Sequence, residues 1–406
     1  MIENGESMKA GVQSRAEKIA DGFVPYSLGL ALLVYLTTRN VVKAMSVLMV
    51  DYSCAIKLST PISIISAMRE ASSRGFVVKG GRYLESVSHA DTIVFDKTGT
   101  LTKATPTVKC VYSFNGDSED ELLRMAACME EHFPHSMAKA VVDAAARKGL
   151  RHEEMHTKVE YIVAHGISTT INSKKTIIGS YHFVFEDERC SVPEGKEELF
   201  DNLPTQYSYL YLAIEDKLAA VICIEDPVRP EAPEVIARLK ELGISKVVMM
   251  TGDSERTAKA IAGRVGVDEY YSEVLPEDKA SFVEKEKKAG RKVIMIGDGI
   301  NDSPALSAAD VGIAISDGAQ IAREIADITV SAEDLGQIAF IKDLSNNLIK
   351  KINRNYRTIV SFNSGLIALG VLGIIPPTTS ALLHNTSTLL ISMNSMKDIP
   401  VEVEIN

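Results

Sequence analysis

Three short runs of apolar, mostly β-branched residues stop abruptly at polar ones. Thr92-Ile93-Val94-Phe95 ends at Asp96, Val247-Val248-Met249-Met250 ends at Thr251-Gly252-Asp253, and Val293-Ile294-Met295-Ile296 ends at Gly297-Asp298-Gly299-Ile300-Asn301-Asp302. Runs of this length bounded by Gly, Asp and Thr predict strands that give way to loops. Pro230 to Leu242 and Ser254 to Gly266 repeat their apolar residues with helical period and close near glycines, so strands alternate with helices as βαβ units require. The pattern predicts a doubly wound parallel α/β sheet with its polar strand ends along one edge, where such sheets bind ligands. The segment from Val108 to Cys223 interrupts this alternation with helices and strands of its own and reads as an inserted α+β domain.

The ends of the chain follow another pattern. Phe23 to Thr38 is almost wholly apolar, Val41 to Met68 is apolar but for Asp51 and Lys57, and Thr358 to Ile375 and Thr378 to Met396 form a second pair around Pro376-Pro377. Each run is near the roughly 17–25 residues a membrane-spanning helix needs, which predicts two transmembrane hairpins, with buried core helices as the alternative. Lys342, Lys350, Lys351, Arg354 and Arg357 precede the third run, a basic flank expected on the cytoplasmic side. Four crossings then place the middle of the chain and both ends in the cytoplasm, as in an integral protein of the plasma or inner membrane. Polar groups inside a bilayer are costly, so Asp51, Cys54, Asn363, His384 and Asn385 become functional candidates.

Composition narrows the partners. The chain of 406 residues has room for two or three domains, and a net charge of −10 argues against nucleic acid. Its five cysteines, Cys54, Cys110, Cys128, Cys190 and Cys223, form no C-x-x-C pair, which fits reduced thiols and gives no zinc-finger signature. The polar first residues predict no secretory signal.

Asp96 is the main chemical candidate, because a carboxylate at a strand end can attack a phosphoryl group. The Thr98-Gly99-Thr100 that follows supplies a free turn and backbone N–H donors. Aligned strand ends would gather Asp96, Thr251, Asp298 and Asp302, and such carboxylates repel one another unless a hard divalent cation such as Mg²⁺ sits among them. Lys279 could add positive charge against phosphoryl oxygens.

Asp96-Lys97-Thr98-Gly99-Thr100-Leu101-Thr102, Thr251-Gly252-Asp253 and Gly297-Asp298-Gly299-Ile300-Asn301-Asp302-Ser303-Pro304-Ala305-Leu306 together resemble the phosphorylation domain of P-type ATPases, a membrane branch of the haloacid-dehalogenase-like fold. The resemblance implies an aspartyl-phosphate at Asp96, with Lys97, Thr98, Thr251, Gly252, Asp253 and Lys279 around it and Mg²⁺ held by Asp96, Thr98, Asp298 and Asp302. Soluble phosphatases of this fold usually place an acid two residues after the nucleophile. Thr98 stands there, so the phosphoenzyme should persist.

Within the inserted segment, His132-Phe133-Pro134-His135-Ser136 resembles the adenine-binding element of heavy-metal P-type ATPases. That likeness makes His135 an implied contact for ATP, and Ala164-His165-Gly166 and Ile178-Gly179-Ser180, which resemble the family's nucleotide-binding glycine elements, add Gly166 and Gly179. Asp51-Tyr52-Ser53-Cys54 resembles their Cys-Pro-Cys transport helix with only the second Cys kept, and His384-Asn385-Thr386-Ser387-Thr388 resembles a divalent-metal motif. One thiolate with imidazole and oxygen ligands at Asp51, Cys54, Asn363 and His384 is too hard a set for Cu(I), so the expected cargo is Zn²⁺, Co²⁺, Fe²⁺, Mn²⁺ or Cd²⁺.

The implied divisions are 1–21 as a connection, 22–70 as the first membrane hairpin, 71–107 with 224–345 as the phosphorylation domain, 108–223 as the nucleotide domain, and 346–406 as the second hairpin and tail. The family's Thr-Gly-Glu actuator loop is absent from these residues. The expectation is therefore a partial pump, as a fragment or with the actuator on a separate chain. A soluble phosphohydrolase of this fold and a non-catalytic nucleotide-binding remnant are the competing readings.

Overall fold

In a computed structural model of the chain, the three apolar runs are strands Thr92–Asp96, Lys246–Met250 and Val293–Gly297. The structure describes residues 11–103, 105–131, 136–150, 160–162, 166–204, 207–297, 302–315, 324–330 and 334–402. The chain divides into two compact units, one made of 1–94, 234–247 and 276–406, the other of 95–233 and 248–275. Strands Thr92–Asp96 and Lys246–Met250 begin in the first unit and end in the second.

These strands belong to a seven-stranded sheet in the order Val77–Val78, Ile328–Val330, Val311–Ile315, Val293–Gly297, Thr92–Asp96, Lys246–Met250, Glu269–Tyr271. Val293–Gly297, Val311–Ile315 and Ile328–Val330 pair in parallel, and two-residue Val77–Val78 closes the edge antiparallel. Asp91 N–H and Thr92 N–H both donate to Lys292 O, and Ser245 N–H donates to Asp91 O, so three strands start side by side. Every residue of Thr92–Asp96 and Val293–Gly297 is buried, as expected of a sheet covered on both faces. The helices between are Ala232–Glu241 and Glu255–Val265, close to the bounds their periodicity predicts.

In the second unit, Thr107–Ser113, Lys217–Glu225, Ser208–Ile214, Lys174–Gly179, Gly166–Ile171 and Glu160–Ile162 form an antiparallel sheet in that order. One face packs an aliphatic cluster with residues of helices Glu119–Glu130 and Ser136–Arg147. The other carries an aromatic cluster including Phe114, Phe183 and Tyr211.

The terminal runs are helices, with boundaries the apolar pattern does not show. Gly11–Thr38 is one helix, so the expected connection and the first apolar run are continuous. The second run splits into Val41–Leu48 and Ser53–Ser73. At the break, the Asp51 carboxylate accepts from Ser53 N–H at 2.9 Å and Cys54 N–H at 3.1 Å, doing for the new helix what a capping side chain does. Gly336–Leu372 ends at Gly373, whose φ of 79° suits glycine, before Pro377–Ser395 begins.

Among the described residues, Gly11–Thr38 is the one helix long and apolar enough to cross a membrane by length and composition alone. Its exposed Leu28, Leu32, Leu33 and Leu36 have counterparts in Val41, Val42, Leu48, Leu58 and Ile65, and in Phe362, Leu372, Leu382, Leu389 and Leu390. Apolar surface this extensive marks contact with something other than water.

Within the first unit, the buried Lys342 of Gly336–Leu372 donates to the carbonyl oxygens of Val87, Ser88 and Ala90, each at 2.9 Å. It thus closes the C-terminus of helix Gly81–His89, where carbonyls lack helical partners and the dipole favours a cation. Burial pushes its ammonium down to about 8, with Asp91 acting in the opposite direction. The group therefore remains charged at neutral pH. Lys342→Met should take the ammonium donor from all three carbonyls, of which Val87 O keeps the Ala90 N–H, and cost about 2 kcal/mol, read as a lowered thermal midpoint in detergent. An unchanged midpoint would refute the capping role.

Candidate functional site

In the second unit, Asp96 ends its strand extended and 7 % exposed. The chain then turns through Lys97–Leu101, with Gly99 left-handed at φ 74°. Thr102 holds this turn: its Oγ1 accepts from Gly99 N–H at 3.2 Å and donates to Asp226 Oδ2 at 2.6 Å. Lys97 is buried, with Nζ 2.5 Å from Asp253 Oδ2 and 4.0 Å from Asp226 Oδ2. Two carboxylates of the second unit thus share one lysine behind the Asp96 turn.

Asp226 and Arg229 lie outside the motifs of the sequence. Strand Lys217–Glu225 ends directly at Asp226, the same strand-then-acid signal that marks Asp96. Arg229 N–H donates to Leu101 O at 2.9 Å and its Nε–H to Thr102 O at 3.2 Å, fastening the two segments together. Burial raises the Asp226 carboxyl above its ordinary range, while the Thr102 bond and Lys97 oppose the rise. Asp226 Oδ1 is buried without a hydrogen-bond partner among the described residues.

Thr251 is buried beyond the strand Lys246–Met250. Its N–H donates to Tyr271 O at 3.0 Å, and its Oγ1 accepts from Asp253 N–H at 3.1 Å. A side chain at Gly252 would meet only Val274 O, at 3.8 Å, so packing does not require glycine there.

The first unit holds the second set. Lys279 and Asp302 are buried and joined at 2.7 Å. Gly297 makes the room: a Cβ there would lie 2.2 Å from Asp302 Oδ2. Asp298 and His135 lie outside the described residues. Gly166 and Gly179 face each other in register on adjacent strands. A Cβ at Gly166 would fall 2.2 Å from Phe183 Cδ1 and 2.6 Å from Ile178 O, so sheet packing by itself demands glycine at that position.

Between the terminal helices, His384 Nδ1 lies 3.3 Å from Asn363 Oδ1, and Asn363 Nδ2 donates to Asp51 O at 3.1 Å. Asp51, Asn363 and His384 therefore form one chain of contacts, which the exposed Cys54 joins through its N–H to the Asp51 carboxylate. No group of three or more His, Cys, Asp or Glu side chains is poised to hold a metal among the described residues.

A strand-end aspartate, a lysine pinned between acids and a buried Lys–Asp pair on a doubly wound sheet define a class. Residues 90–310 match the model of the haloacid dehalogenase-like hydrolases. The chain belongs to that family, and curated relatives that it matches are heavy-metal P-type ATPases. It is 35 % identical over 406 residues to a zinc-exporting P-type ATPase of Mycobacterium marinum, covering 99 % of this chain and 55 % of the relative. To a manganese-exporting P-type ATPase of Mycobacterium tuberculosis strain ATCC 25618 / H37Rv it is 35 % identical over 399 residues, covering 98 % and 55 %. The crystal structure of a zinc-transporting PIB-type ATPase in the E2.Pi state superimposes with a TM-score of 0.73 at 28 % identity, over 95 % of this chain and 66 % of that one. The chain spans about half the length of the curated relatives it matches.

Proposed function

We propose that this chain takes part in ATP-driven transport of a divalent transition metal across a membrane, through an aspartyl-phosphate on Asp96. The carrying observation is the buried strand-end Asp96 with its turn locked by Thr102 and its neighbour Lys97 bound by Asp253. Asp96 Oδ attacks the γ-phosphorus of ATP, a new O–P bond forms, the bond to the β-phosphate oxygen breaks and ADP leaves. Thr98 and Thr251 offer hydroxyl and backbone donors to the transferred oxygens, and Lys279 supplies positive charge. Lys97, held by Asp253, fixes the turn that aims Asp96. Gly252 leaves the approach open, and His135, Gly166 and Gly179 are assigned to the nucleotide.

The donor set fits Mg²⁺. Oxygen ligands suit a hard cation, and Asp302 lies in a cradle that a Cβ on Gly297 would fill. Asp96, Thr98, Asp298 and Asp302 would hold the ion, which would offset charge on the phosphoryl oxygens when bound.

The exposed leucines of the terminal helices support a membrane setting, with the catalytic units cytoplasmic. Asp51, Cys54, Asn363 and His384 are assigned to the cargo. Their mixture of oxygen, nitrogen and one sulfur favours Zn²⁺, Co²⁺, Fe²⁺, Mn²⁺ or Cd²⁺ over Cu⁺. Removing the phosphate calls for a water-positioning glutamate, assigned to an actuator domain outside these 406 residues or on a separate chain.

The test is acid-stable labelling of the detergent-solubilised chain from γ-³²P-ATP and Mg²⁺, with each cation added in turn. The label is expected to rise with at least one of the divalent ions. Stimulation by Cu⁺ alone would overturn the divalent assignment, and no label under any condition would overturn the phosphoenzyme.

A further inference from the structure

Two cysteines in the inserted domain face each other. Cys110 on strand Thr107–Ser113 and Cys223 on Lys217–Glu225 are direct partners in the antiparallel register. Opposed residues of this kind hold their Cβ atoms about 4.5–5.5 Å apart on one face of the sheet. Besides burial, Cys110 is near enough to raise the Cys223 thiol above its ordinary range. Cys223 is fully buried and Cys110 half-buried, so an ion reaches the pair through Cys110.

The surroundings suit a soft, singly charged ion. On the next strand, Tyr209 is the register partner of Cys223, and the Arg256 guanidinium lies over the Tyr209 ring at 5.5 Å. Two thiolates with a monovalent cation carry one net negative charge, which Arg256 faces. With no third His, Cys, Asp or Glu brought up among the described residues, the pair lacks the four-ligand shell of structural zinc. Soft thiolates with few ligands select Cu(I) and its congener Ag(I).

We infer that Cys110 and Cys223 form a two-thiolate binding site for a soft monovalent d¹⁰ cation, Cu(I) or Ag(I), apart from the polar cluster of the terminal helices. Burial and the nearby Cys110 hold the Cys223 thiol above its ordinary range, so it stays protonated until a metal displaces the proton. Binding forms two S–metal bonds and releases two protons. The same burial makes Cys223 a poor nucleophile for disulfide chemistry. Strand Thr107–Ser113 leads into the inserted sheet and Lys217–Glu225 leads out to Asp226. A bound ion would therefore staple its entry and exit strands.

The experiment uses the full chain in detergent with Cys54→Ser, which removes the thiol of the terminal helices. Cu(I) is titrated against a chromophoric chelator, and the bound metal is examined by X-ray absorption. One equivalent with two sulfur neighbours is expected, lost in Cys110→Ala and in Cys223→Ala but kept in Cys128→Ala. Cys110 is half-buried, so its variant reports binding without a buried cavity, and retained ATP binding confirms that each variant is folded. Unchanged Cu(I) stoichiometry in the Cys110→Ala/Cys223→Ala chain, or three sulfur neighbours in the Cys54→Ser chain, would overturn the assignment.

Discussion

Asp96→Asn is expected to reduce acid-stable ³²P labelling from ATP to background while leaving the chain folded. Asparagine has nearly the size of aspartate, and the four residues before it in the strand are wholly buried, so the backbone that presents residue 96 is set by its neighbours. The amide carries neither the negative charge nor the nucleophilic oxygen that forms the new O–P bond. Nucleotide binding should survive, because His135, Gly166 and Gly179 belong to another part of the chain. Both readouts belong in one experiment: label by acid gel, and ATP binding by equilibrium dialysis. Label persisting in the Asn variant would mean that another residue accepts the phosphate. Loss of both label and nucleotide binding would point to misfolding.

Gly297→Ala should produce the next largest effect, and a different one. The added Cβ would lie 2.2 Å from Asp302 Oδ2, 2.8 Å from its Cγ and 2.9 Å from its Cβ, so the whole carboxylate must move. Asp302 has little freedom to do so, being 1 % exposed and bound to Lys279 at 2.7 Å. Overpacking of this kind costs about 1–3 kcal/mol. Disturbing the surroundings that orient a metal ligand typically weakens metal binding by about 10–100-fold. The expected result is phosphorylation that needs about 10–100-fold more Mg²⁺, with label recovered at high Mg²⁺. Gly263→Ala is the control. Helix Glu255–Val265 leaves nothing within 4 Å of a Cβ there, so alanine should be neutral or slightly stabilising. A Gly297→Ala chain with the wild-type Mg²⁺ requirement would remove Asp302 from the proposed metal set.

The strand ends were legible because a run such as Thr92–Phe95 has one physical use, a buried strand, and the acid after it has to leave the core. The same rule applied to Ile222-Cys223-Ile224-Glu225-Asp226 marks Asp226. The signal is weaker there, because Asp-Pro is also an ordinary turn signal. Thr102 and Arg229 carry no local signal. Their importance lies in partners across 124 and 127 positions of the chain, Asp226 Oδ2 and Thr102 O. Gly166 shows the reverse case. The resemblance implies glycine there for a nucleotide, and the fold adds a packing requirement, because Phe183 and Ile178 O fill the space where a side chain would go.

The terminal helices show the same division. Hydropathy marks the apolar stretches, because transfer from water depends on composition along a window. The break at Asp51 was not visible in that average: a single carboxylate capping Ser53 and Cys54 outweighs the apolar run around it. By itself, the sequence determined the alternation of strand and helix, the acids at strand ends and the family, since these depend on neighbours a few residues apart. Only the tertiary structure decided which acid Lys97 and Lys279 each hold, that Lys342 closes a helix through Val87, Ser88 and Ala90, and that Cys110 faces Cys223. Those contacts depend on how distant segments come together, and buried charges and thiols take their chemistry from whatever the fold sets beside them.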